Sequence, residues 1–337
     1  MFVLGSARSG TSLMCRLLLD HLGINFGSES QFIVRHHQRL NKYGDLRDDR
    51  CLRWLFQEIS RERFFERTRN NFGFVFDIDE AVRTIEHRTY AGALRAIFEQ
   101  FARSKGMPRW GDKTPAYCRH LPVLHELFPA AQYIHVVRDG RDVAVSAFQA
   151  GFGPKNGFEA ASEWSGLVRT IERFGATLPP SAFITVRYED VLSDPAAQLG
   201  RIAQFLGIAN HEELRHAIAG PVRARVWPNN AGKSLLLLSA RENECFEASA
   251  ADVLDAYGYP LRFRRRTKPL SRTEVVYWRA QGMWRRVANT EYWADNCYKL
   301  GLRLRRATLD LRRPTRTWRL WSLPRANRSG TTVRTHP

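Results

Sequence analysis

Residues 2–14 read FVLGSARSGTSLM, and this stretch decides the fold. Residues 2–4 are an apolar run typical of a short buried strand, the next six residues are bounded by glycines, and from residue 11 to residue 22 the apolar side chains recur at helical spacing. A strand, a glycine-bounded loop and a helix in this order are typical of an α/β unit that binds phosphate, because the loop amides and the helix N-terminus face an anion. The alternative is a glycine-rich turn without a ligand.

The loop fits the pattern G-x-x-x-x-G, but Thr11 stands where an ATP-binding loop of the Walker A type has lysine. That lysine compensates the charge of the β- and γ-phosphates of a nucleoside triphosphate. A loop without it suits a smaller anionic group, such as a single phosphate that carries a sulfonate. Arg8 supplies some positive charge from another position in the loop.

A second segment, residues 136–146, reads VVRDGRDVAVS. Arg138 follows an apolar strand predicted over 132–137, at the carboxyl end where open α/β sheets bind their ligands. Ser146 lies about two helical turns further on, so a guanidinium and a hydroxyl could hold one phosphate. The alternative is a surface arginine paired with Asp139 or Asp142 at the start of a helix, where acidic residues are favourable.

Two further charged residues are candidates for the chemistry. Lys113 lies in residues 110–115, WGDKTP, a tight turn in which a lysine can place a point charge on a group in transfer. Glu29 lies in the loop after the first helix and could act as a general base. Each residue also has a simpler interpretation: Lys113 could be an ordinary surface lysine, and Glu29 a solvated loop carboxylate.

Strand and helix patterns alternate along residues 1–206, which implies a parallel sheet covered on both faces. The predicted fold class is α/β, a P-loop-like three-layer α/β/α arrangement with a central parallel sheet and a helical basic C-terminal extension. Residues 25–75 are expected to form short helices and loops. Beyond the segments above, the pattern predicts a strand over 182–187 and helices over 81–104, 121–127, 141–150, 158–174 and 195–206.

The formal charge of +18 is concentrated at the C-terminal end. Of the 52 lysines and arginines, 20 lie in residues 262–337, together with four of the 34 acidic residues, so residues 1–261 are almost neutral. We therefore predict a catalytic domain over 1–261 and an extension over 262–337 that is rich in arginine and tryptophan. The extension is expected to hold helices at 273–288 and 291–311 and to end in a disordered segment.

Arginine combined with tryptophan and tyrosine fits an anionic membrane surface. The same composition fits an arm that packs on the main domain or on another subunit, and nucleic acid is the least favoured partner. The five cysteines are scattered and form no C-x-x-C pair, which favours a reducing compartment. With neither a secretory leader nor an apolar run of membrane-spanning length, we expect a cytoplasmic protein that could associate peripherally with a membrane.

Taken together, four stretches resemble the sulfotransferases that use 3′-phosphoadenosine 5′-phosphosulfate, and most closely the bacterial branch similar to tyrosylprotein and glycosaminoglycan sulfotransferases. These stretches are residues 3–14, 110–117, 128–146 and 186–207, and they follow the family's order. A weaker match covers residues 230–239. Residues 30–105 and the basic extension match nothing in the family's pattern.

The resemblance implies the residues that bind the donor. The loop that holds the 5′-phosphosulfate corresponds to Arg8, Ser9, Gly10, Thr11 and Ser12. The 3′-phosphate corresponds to Arg138 and Ser146, with Tyr188 beside it. The segment that closes over the donor corresponds to Asn230, Gly232 and Lys233.

The resemblance also implies the reaction, transfer of a sulfonate to the hydroxyl of a tyrosine, a carbohydrate, a lipid or a small metabolite. Glu29 would take the acceptor proton, while Lys113 and Arg8 would stabilise the transferring group and the leaving phosphate. We expect no metal requirement, since the leaving group is less charged than a triphosphate and no carboxylate-rich metal site is evident in the sequence. The alternatives are a P-loop kinase or another nucleotide-binding protein, and an inactive binding module.

Overall fold

The structure is a computed structural model that describes residues 1–149, 153–208, 231–232, 234–263 and 269–288. Residues Met1–Ala288 form one compact unit. Several predictions lie outside the described residues: the helix at 291–311, the donor-closing residues Asn230 and Lys233, and the disordered end.

Two sets of parallel strands make up the sheet. Strands β1 (Phe2–Leu4), β4 (Tyr133–Val137) and β5 (Phe183–Arg187) pair in the order β1-β4-β5. Strands β2 (Ile24–Phe26) and β3 (Arg109–Gly111) pair with each other, and a parallel bridge between Phe2 and Asp112 places β3 beside β1. The carboxyl ends of all five strands therefore point to the same edge of the sheet.

Helices surround the strands and occupy most of the remaining described chain. In chain order they are α1 Thr11–Leu22, α2 Ile33–His37, α3 Asp49–Ser60, α4 Arg63–Phe72, α5 Ile78–Thr84, α6 Tyr90–Ser104, α7 Leu121–Leu127, α8 Gly140–Gln149, α9 Gly157–Gly175, α10 Tyr188–Ser193, α11 Pro195–Phe205, α12 Ser234–Leu237, α13 Ala240–Ala256 and α14 Arg272–Val287. Short 3-10 turns cover Leu40–Lys42 and Pro115–Arg119.

The core lies on both faces of the sheet because successive strand residues point to opposite sides. Phe2 and Leu4 pack with the apolar side chains of α3 to α6, including the aromatic residues Phe56, Phe64 and Phe98. Val3, between them in the sequence, packs with α1 and α11 on the other face. A further cluster joins the end of β4 to α8, α9 and α13. This arrangement confirms the predicted α/β class with a parallel sheet between helical layers.

The prediction of one long helix over 81–104 is wrong. The structure has two helices there, α5 and α6, separated by residues 85–89. Thr89 has extended backbone angles and its side chain accepts the Gly92 N–H, so it starts a new helix. A Cβ atom on Gly92 would overlap the carbonyl oxygen of His87. The apolar spacing continues across the break, which is why the pattern alone predicted one helix.

Helix α14, at the start of the predicted basic extension, packs against α9 within the same compact unit. Trp278 is buried, and its carbonyl oxygen accepts a hydrogen bond of 2.6 Å from the Asn156 side chain. Arg286 forms two hydrogen bonds to Glu159, at 2.6 and 2.8 Å. Among the described residues, no helix is both long and apolar enough to cross a bilayer.

Candidate active site

The loop between β1 and α1 is shaped by close packing at two glycines. A Cβ atom on Gly5 would lie 2.6 Å from the carbonyl oxygen of Val136, and one on Gly10 would overlap the ring of Tyr188. Gly10 also has a φ of 95°, in the left-handed region that favours glycine. These contacts bring the loop against the carboxyl end of β4 and the start of α10.

The N-terminus of α1 is left open for an anion. Gly10 occupies the cap position and no side chain of the described residues caps the first turn. The Ser9 hydroxyl is buried in the loop without a hydrogen-bond partner among the described residues. Thr11 is buried and Ser12 is exposed, so the two lie on different sides of the first turn. Uncapped amides, an unpartnered hydroxyl and the helix dipole are together suited to an anion such as a phosphate.

Four of the predicted donor residues meet at this loop. The Arg8 Nε atom donates to the Ser146 hydroxyl at 2.9 Å, which joins the loop to the second turn of α8. Arg138, buried at the end of β4, donates to the Arg8 carbonyl oxygen at 3.2 Å. Its guanidinium lies 4.7 Å from the ring centre of Tyr188. The structure therefore links Arg8, Arg138, Ser146 and Tyr188 in one chain of direct contacts.

Asp142 connects this cluster to the segment predicted to close over the donor. Its carboxylate accepts the backbone N–H groups of Gly232 and Ser234 at 2.6 and 2.8 Å, and it lies 3.7 Å from Arg138. The alternative interpretation of Arg138, an arginine paired with a carboxylate at the start of a helix, is therefore correct for the pairing with Asp142. The pair is buried, so Arg138 is not a surface arginine, and the same Asp142 carboxylate holds Gly232 through its backbone N–H.

A buried ion cluster under α8 fixes the turn that carries Arg138. Arg141 pairs with Asp139 at 2.7 Å and with Glu247 of α13, and it donates to the Pro260 carbonyl oxygen at 3.0 Å. Glu247 also accepts the Phe263 N–H at 2.8 Å. Because Arg141 and Glu247 are almost fully buried, each charge depends on the other for compensation.

Glu189, at the start of α10, holds the same turn from the other side. It accepts the Asp139 N–H at 3.0 Å and the Tyr259 hydroxyl at 2.8 Å. Burial raises the pKa of Glu189, while the hydrogen bonds from Asp139 and Tyr259 act in the opposite direction. The sequence pattern did not indicate Glu189 or Glu247, because their partners are far away along the chain.

Glu29 and Lys113 form an ion pair of 2.7 Å. Each follows a strand of the β2–β3 pair by two or three residues, and the register joins Phe26 to Gly111. The pair is therefore at the carboxyl edge of the sheet, beside β1 and its loop. Side-chain exposures of 32% for Glu29 and 18% for Lys113 leave both groups within reach of solvent and of a ligand.

Hydrogen bonds fix the chain around this ion pair. The Ser30 backbone N–H donates to the Thr114 hydroxyl at 3.0 Å, and the Ser30 hydroxyl bonds that of Tyr117 at 2.9 Å. The Tyr117 hydroxyl also accepts the Ile33 N–H at 2.9 Å. The segments that carry Glu29 and Lys113 are thus tied together directly, one residue beyond each charged side chain.

Asp112 is a buried carboxyl next to Lys113 that the sequence analysis did not single out. Burial raises its pKa to about 6, while hydrogen bonds from Ser30 and Thr114 and the charge of Lys113 lower it. The Asp112 backbone N–H donates to the Met1 carbonyl oxygen, and the Asp112 carbonyl oxygen accepts the Val3 N–H. These two hydrogen bonds lie on either side of Phe2 in β1. Asp112 therefore couples the Glu29–Lys113 pair to the strand that leads into the phosphate loop.

Two cavities of the described structure lie at different distances from the carboxyl edge of the sheet. One of about 740 Å³ is lined by Phe2, Arg109 and Gln132 and lies at the amino ends of the strands, away from the groups above. One of about 170 Å³ is lined mainly by small apolar side chains of α8 and by Trp164, and it adjoins the loop at Ser6 and Ala7. Only the smaller of these two borders the phosphate loop.

Comparison with known proteins agrees with this geometry. The family model described as the sulfotransferase family matches residues 1–213. The chain belongs to the sulfotransferase family. The resemblance given by the four sequence stretches is thereby confirmed.

Among relatives of this sulfotransferase-family chain, the omega-hydroxy-beta-dihydromenaquinone-9 sulfotransferase Stf3 of Mycobacterium tuberculosis is 27% identical over 164 residues, 44% of this chain and 40% of that protein. Protein-tyrosine sulfotransferase A of Caenorhabditis elegans is 24% identical over 221 residues, 64% of this chain and 52% of the relative. The matches thus span about half of these relatives or less. A solved sulfotransferase domain from the curacin biosynthetic pathway is 19% identical, covers 77% of this chain and 97% of that domain, with a TM-score of 0.50, and shares the fold.

Most of the predicted site residues converge in this member of the family. Arg8, Arg138, Ser146 and Tyr188 meet at the loop, and Gly232 reaches them through Asp142. Glu29 and Lys113 meet each other on the adjacent strand pair. The roles of all these residues stay predictions. Within the described residues, no group of three or more histidine, cysteine, aspartate or glutamate side chains is arranged to hold a metal ion.

Proposed function

We propose that this chain transfers a sulfonate group from 3′-phosphoadenosine 5′-phosphosulfate to an acceptor hydroxyl. The observation that carries the proposal is the position of the Glu29–Lys113 pair. It lies at the same sheet edge as the phosphate loop and the Arg8–Arg138–Ser146 cluster. A base paired with a cation beside an anion cradle is what transfer of a charged group to a hydroxyl requires.

The donor fits the residues present. The cradle at Gly5 and Gly10 has no room for a Cβ atom, and the amides of α1 end at an uncapped turn with the buried Ser9 hydroxyl. We assign the 5′-phosphosulfate to this cradle and to Arg8. We assign the 3′-phosphate to Arg138 and Ser146, with Tyr188 packed against the guanidinium. Gly232 belongs to the covering segment held by Asp142.

In the proposed reaction the acceptor oxygen forms a bond to sulfur as the bond between sulfur and the 5′-phosphate oxygen breaks. Glu29 accepts the acceptor proton, and its 2.7 Å contact with Lys113 holds the carboxylate in position. Lys113 and Arg8 place positive charge where negative charge grows on the leaving phosphate oxygen. The products are the sulfate ester and adenosine 3′,5′-bisphosphate.

The acceptor is proposed to carry its hydroxyl on an apolar body. The small cavity beside Ser6 and Ala7 is lined mostly by apolar groups, Val143, Ala144 and Trp164 among them, and its polar groups are few, chiefly the Ser6 hydroxyl and the Glu163 carboxylate. A lipid alcohol or a phenol fits this lining better than a carbohydrate. The two named relatives act on a menaquinone derivative and on protein tyrosine, respectively, and both acceptors have this character.

A thermal-shift titration with adenosine 3′,5′-bisphosphate tests the donor site. At ~100 times its dissociation constant the ligand should add about 2.7 kcal/mol to the stability of the folded state. Arg138→Ala should abolish the shift, whereas Arg201→Ala, an exposed arginine on α11, should leave it unchanged. Stabilisation by ADP with Mg²⁺ alone would contradict the proposal and favour the P-loop kinase. Activity is then followed by transfer of labelled sulfonate to a panel of phenols, lipid alcohols and sugars.

A further inference from the structure

The outer face of α14 is an exposed apolar surface. Five of the eight large apolar side chains that are exposed in the described part of the chain lie on this one helix. They are Val276, Tyr277, Met283, Trp284 and Val287. The exposed fractions of Val276, Met283 and Trp284 are 66%, 63% and 70%. An apolar cluster of this kind on one element marks an interaction surface.

The exposed side chains form an apolar stripe along the helix, with Trp284 on one edge and arginines on the other. Val276, Met283 and Val287 are separated by seven and four residues, so they lie on one side of the helix. Trp284 lies one residue further around. Arg272 and Arg279 are exposed, lie seven residues apart and follow the opposite edge of the stripe.

The inner face of α14 fixes this orientation. Trp278 is buried, and a Cβ atom on Gly282 would overlap the Glu159 carboxylate. Arg286 pairs with that same Glu159, and Arg285 pairs with Glu242 at 2.8 Å. Turning the apolar stripe inward would break both ion pairs. The helix therefore holds its apolar stripe toward solvent while its inner arginines are engaged with the main unit.

Charge decides which partner fits the stripe. Glu274 is the only acidic residue in α14, and it is engaged in capping the helix N-terminus with Ser271. Residues 262–337 contain 20 basic and four acidic residues, so a second copy would bring arginines close to arginines. Anionic lipid headgroups would complement Arg272 and Arg279, while the tryptophan, tyrosine and aliphatic side chains enter the region between headgroups and acyl chains.

We propose that the outer face of α14 docks this protein on a membrane surface containing anionic lipids. The helix lies along the membrane and does not cross it, because its inner face stays packed on α9. The contact combines apolar insertion of Val276, Met283 and Trp284 with attraction of Arg272 and Arg279 to lipid phosphates. This surface is separate from the candidate active site, and the proposal holds whichever hydroxyl the chain modifies.

Vesicle flotation of the full chain tests the proposal. We would compare vesicles of phosphatidylcholine alone with vesicles that also contain phosphatidylglycerol at about 3:1. A variant with Val276→Ser, Met283→Ser and Trp284→Ser removes the apolar stripe and keeps every charge. The matched control, Trp54→Ser with Val75→Ser, removes exposed apolar side chains from α3 and from the loop after α4.

The wild type and the control should float with the anionic vesicles. The partition coefficient of the triple variant should be lower than that of the wild type by roughly tenfold or more. Arg272→Gln with Arg279→Gln, which keeps the stripe, should also weaken binding by roughly tenfold. Unchanged thermal melting of both variants shows that they are folded. Equal flotation of the triple variant and the wild type would overturn the proposal. So would a wild type that ignores both vesicles but forms a dimer that the triple variant separates into monomers.

Discussion

The two sides of the phosphate loop are held in different ways. On the β4 side, the turn after Arg138 is fixed by the buried ion pair of Arg141 with Glu247 of α13 and by the hydrogen bond from the Asp139 N–H to Glu189 of α10. On the β3 side, Glu29 and Lys113 form a single, partly exposed ion pair held by hydroxyl hydrogen bonds next to it. This difference suits the proposed roles, because a site that positions two phosphates benefits from a rigid frame, whereas a base and a cation that act on the acceptor must remain reachable.

Replacing the proposed base should have the largest effect on the reaction. Glu29→Gln keeps the size of the side chain but cannot accept the acceptor proton, so sulfonate transfer should fall by ~10²–10⁴-fold. Affinity for adenosine 3′,5′-bisphosphate should not be lost, because Glu29 is assigned to neither phosphate and Lys113 keeps its charge. The measurement is kcat for transfer together with the dissociation constant of the bisphosphate.

Glu126→Gln is the control, because Glu126 is an exposed carboxylate whose ionic contact in the structure is a weak one to His37. Transfer by Glu29→Gln at a rate within threefold of the wild type would show that another group takes the proton. A parallel loss of bisphosphate affinity would show that the two sides of the loop are not separate in function.

The buried frame should account for stability more than for chemistry. Glu247→Ala leaves the buried Arg141 with only Asp139 as an ionic partner, so the free energy of unfolding should fall by about 3–5 kcal/mol. Urea denaturation measures this change. Glu247→Gln still offers an acceptor to the Phe263 N–H and should lose less. A loss below about 1 kcal/mol in Glu247→Ala would mean that water compensates the arginine.

This contrast also explains how much of the molecule the sequence predicts. The phosphate loop and the β4–α8 turn are local: strand, glycine and helix signals lie within about fifteen residues, and the structure matches them. Strands β2 and β3 have three residues each, too few to show an alternating pattern. Glu189 and Glu247 contact the turn after β4 from 50 and 106 residues away along the chain, and no local signal indicates them.

The pairing of Glu29 with Lys113 lies between these cases. Each residue was a candidate on the residue type and on the family resemblance. Their meeting depends on the parallel register of β2 and β3, which brings Phe26 opposite Gly111. The break between α5 and α6 was missed for a related reason, because the approach of the His87 carbonyl to Gly92 is a packing fact without a periodic signature.

Asp112 gives the β3 side a pH dependence of its own. Because burial raises its pKa from 3.8 to about 6, the folded state binds this proton more tightly than the unfolded state does. Its contribution to stability is therefore full below about pH 4, falls as the pH rises to about 6 and is constant above that value. Asp112→Asn removes this fall, which amounts to about 3 kcal/mol for a pKa raised by about two units.

Thermal or urea unfolding of the wild type and Asp112→Asn at pH 4, 5, 6 and 7 measures the effect as a difference between the two proteins. Taking the difference removes the contribution of carboxylates whose pKa is lowered, such as Glu62 and Asp252. The asparagine variant should gain stability relative to the wild type as the pH rises through this window. A difference independent of pH would show that folding does not raise the pKa of Asp112.

Removing the Ser146 hydroxyl, which joins the loop to α8, should have the smallest effect on ligand affinity. Two ligands separate the contact with Arg8 from the proposed contact with the 3′-phosphate. Ser146→Ala loses the hydrogen bond from Arg8 Nε and the proposed contact with the 3′-phosphate, so the dissociation constant of adenosine 3′,5′-bisphosphate should rise by roughly 3–10-fold. Adenosine 5′-phosphate lacks the 3′-phosphate, so its affinity should change only through the freed Arg8. Ser162→Ala on the exposed side of α9 is the control. Equal losses for both ligands would place the effect in the loop, since only the bisphosphate can report a contact between Ser146 and the 3′-phosphate.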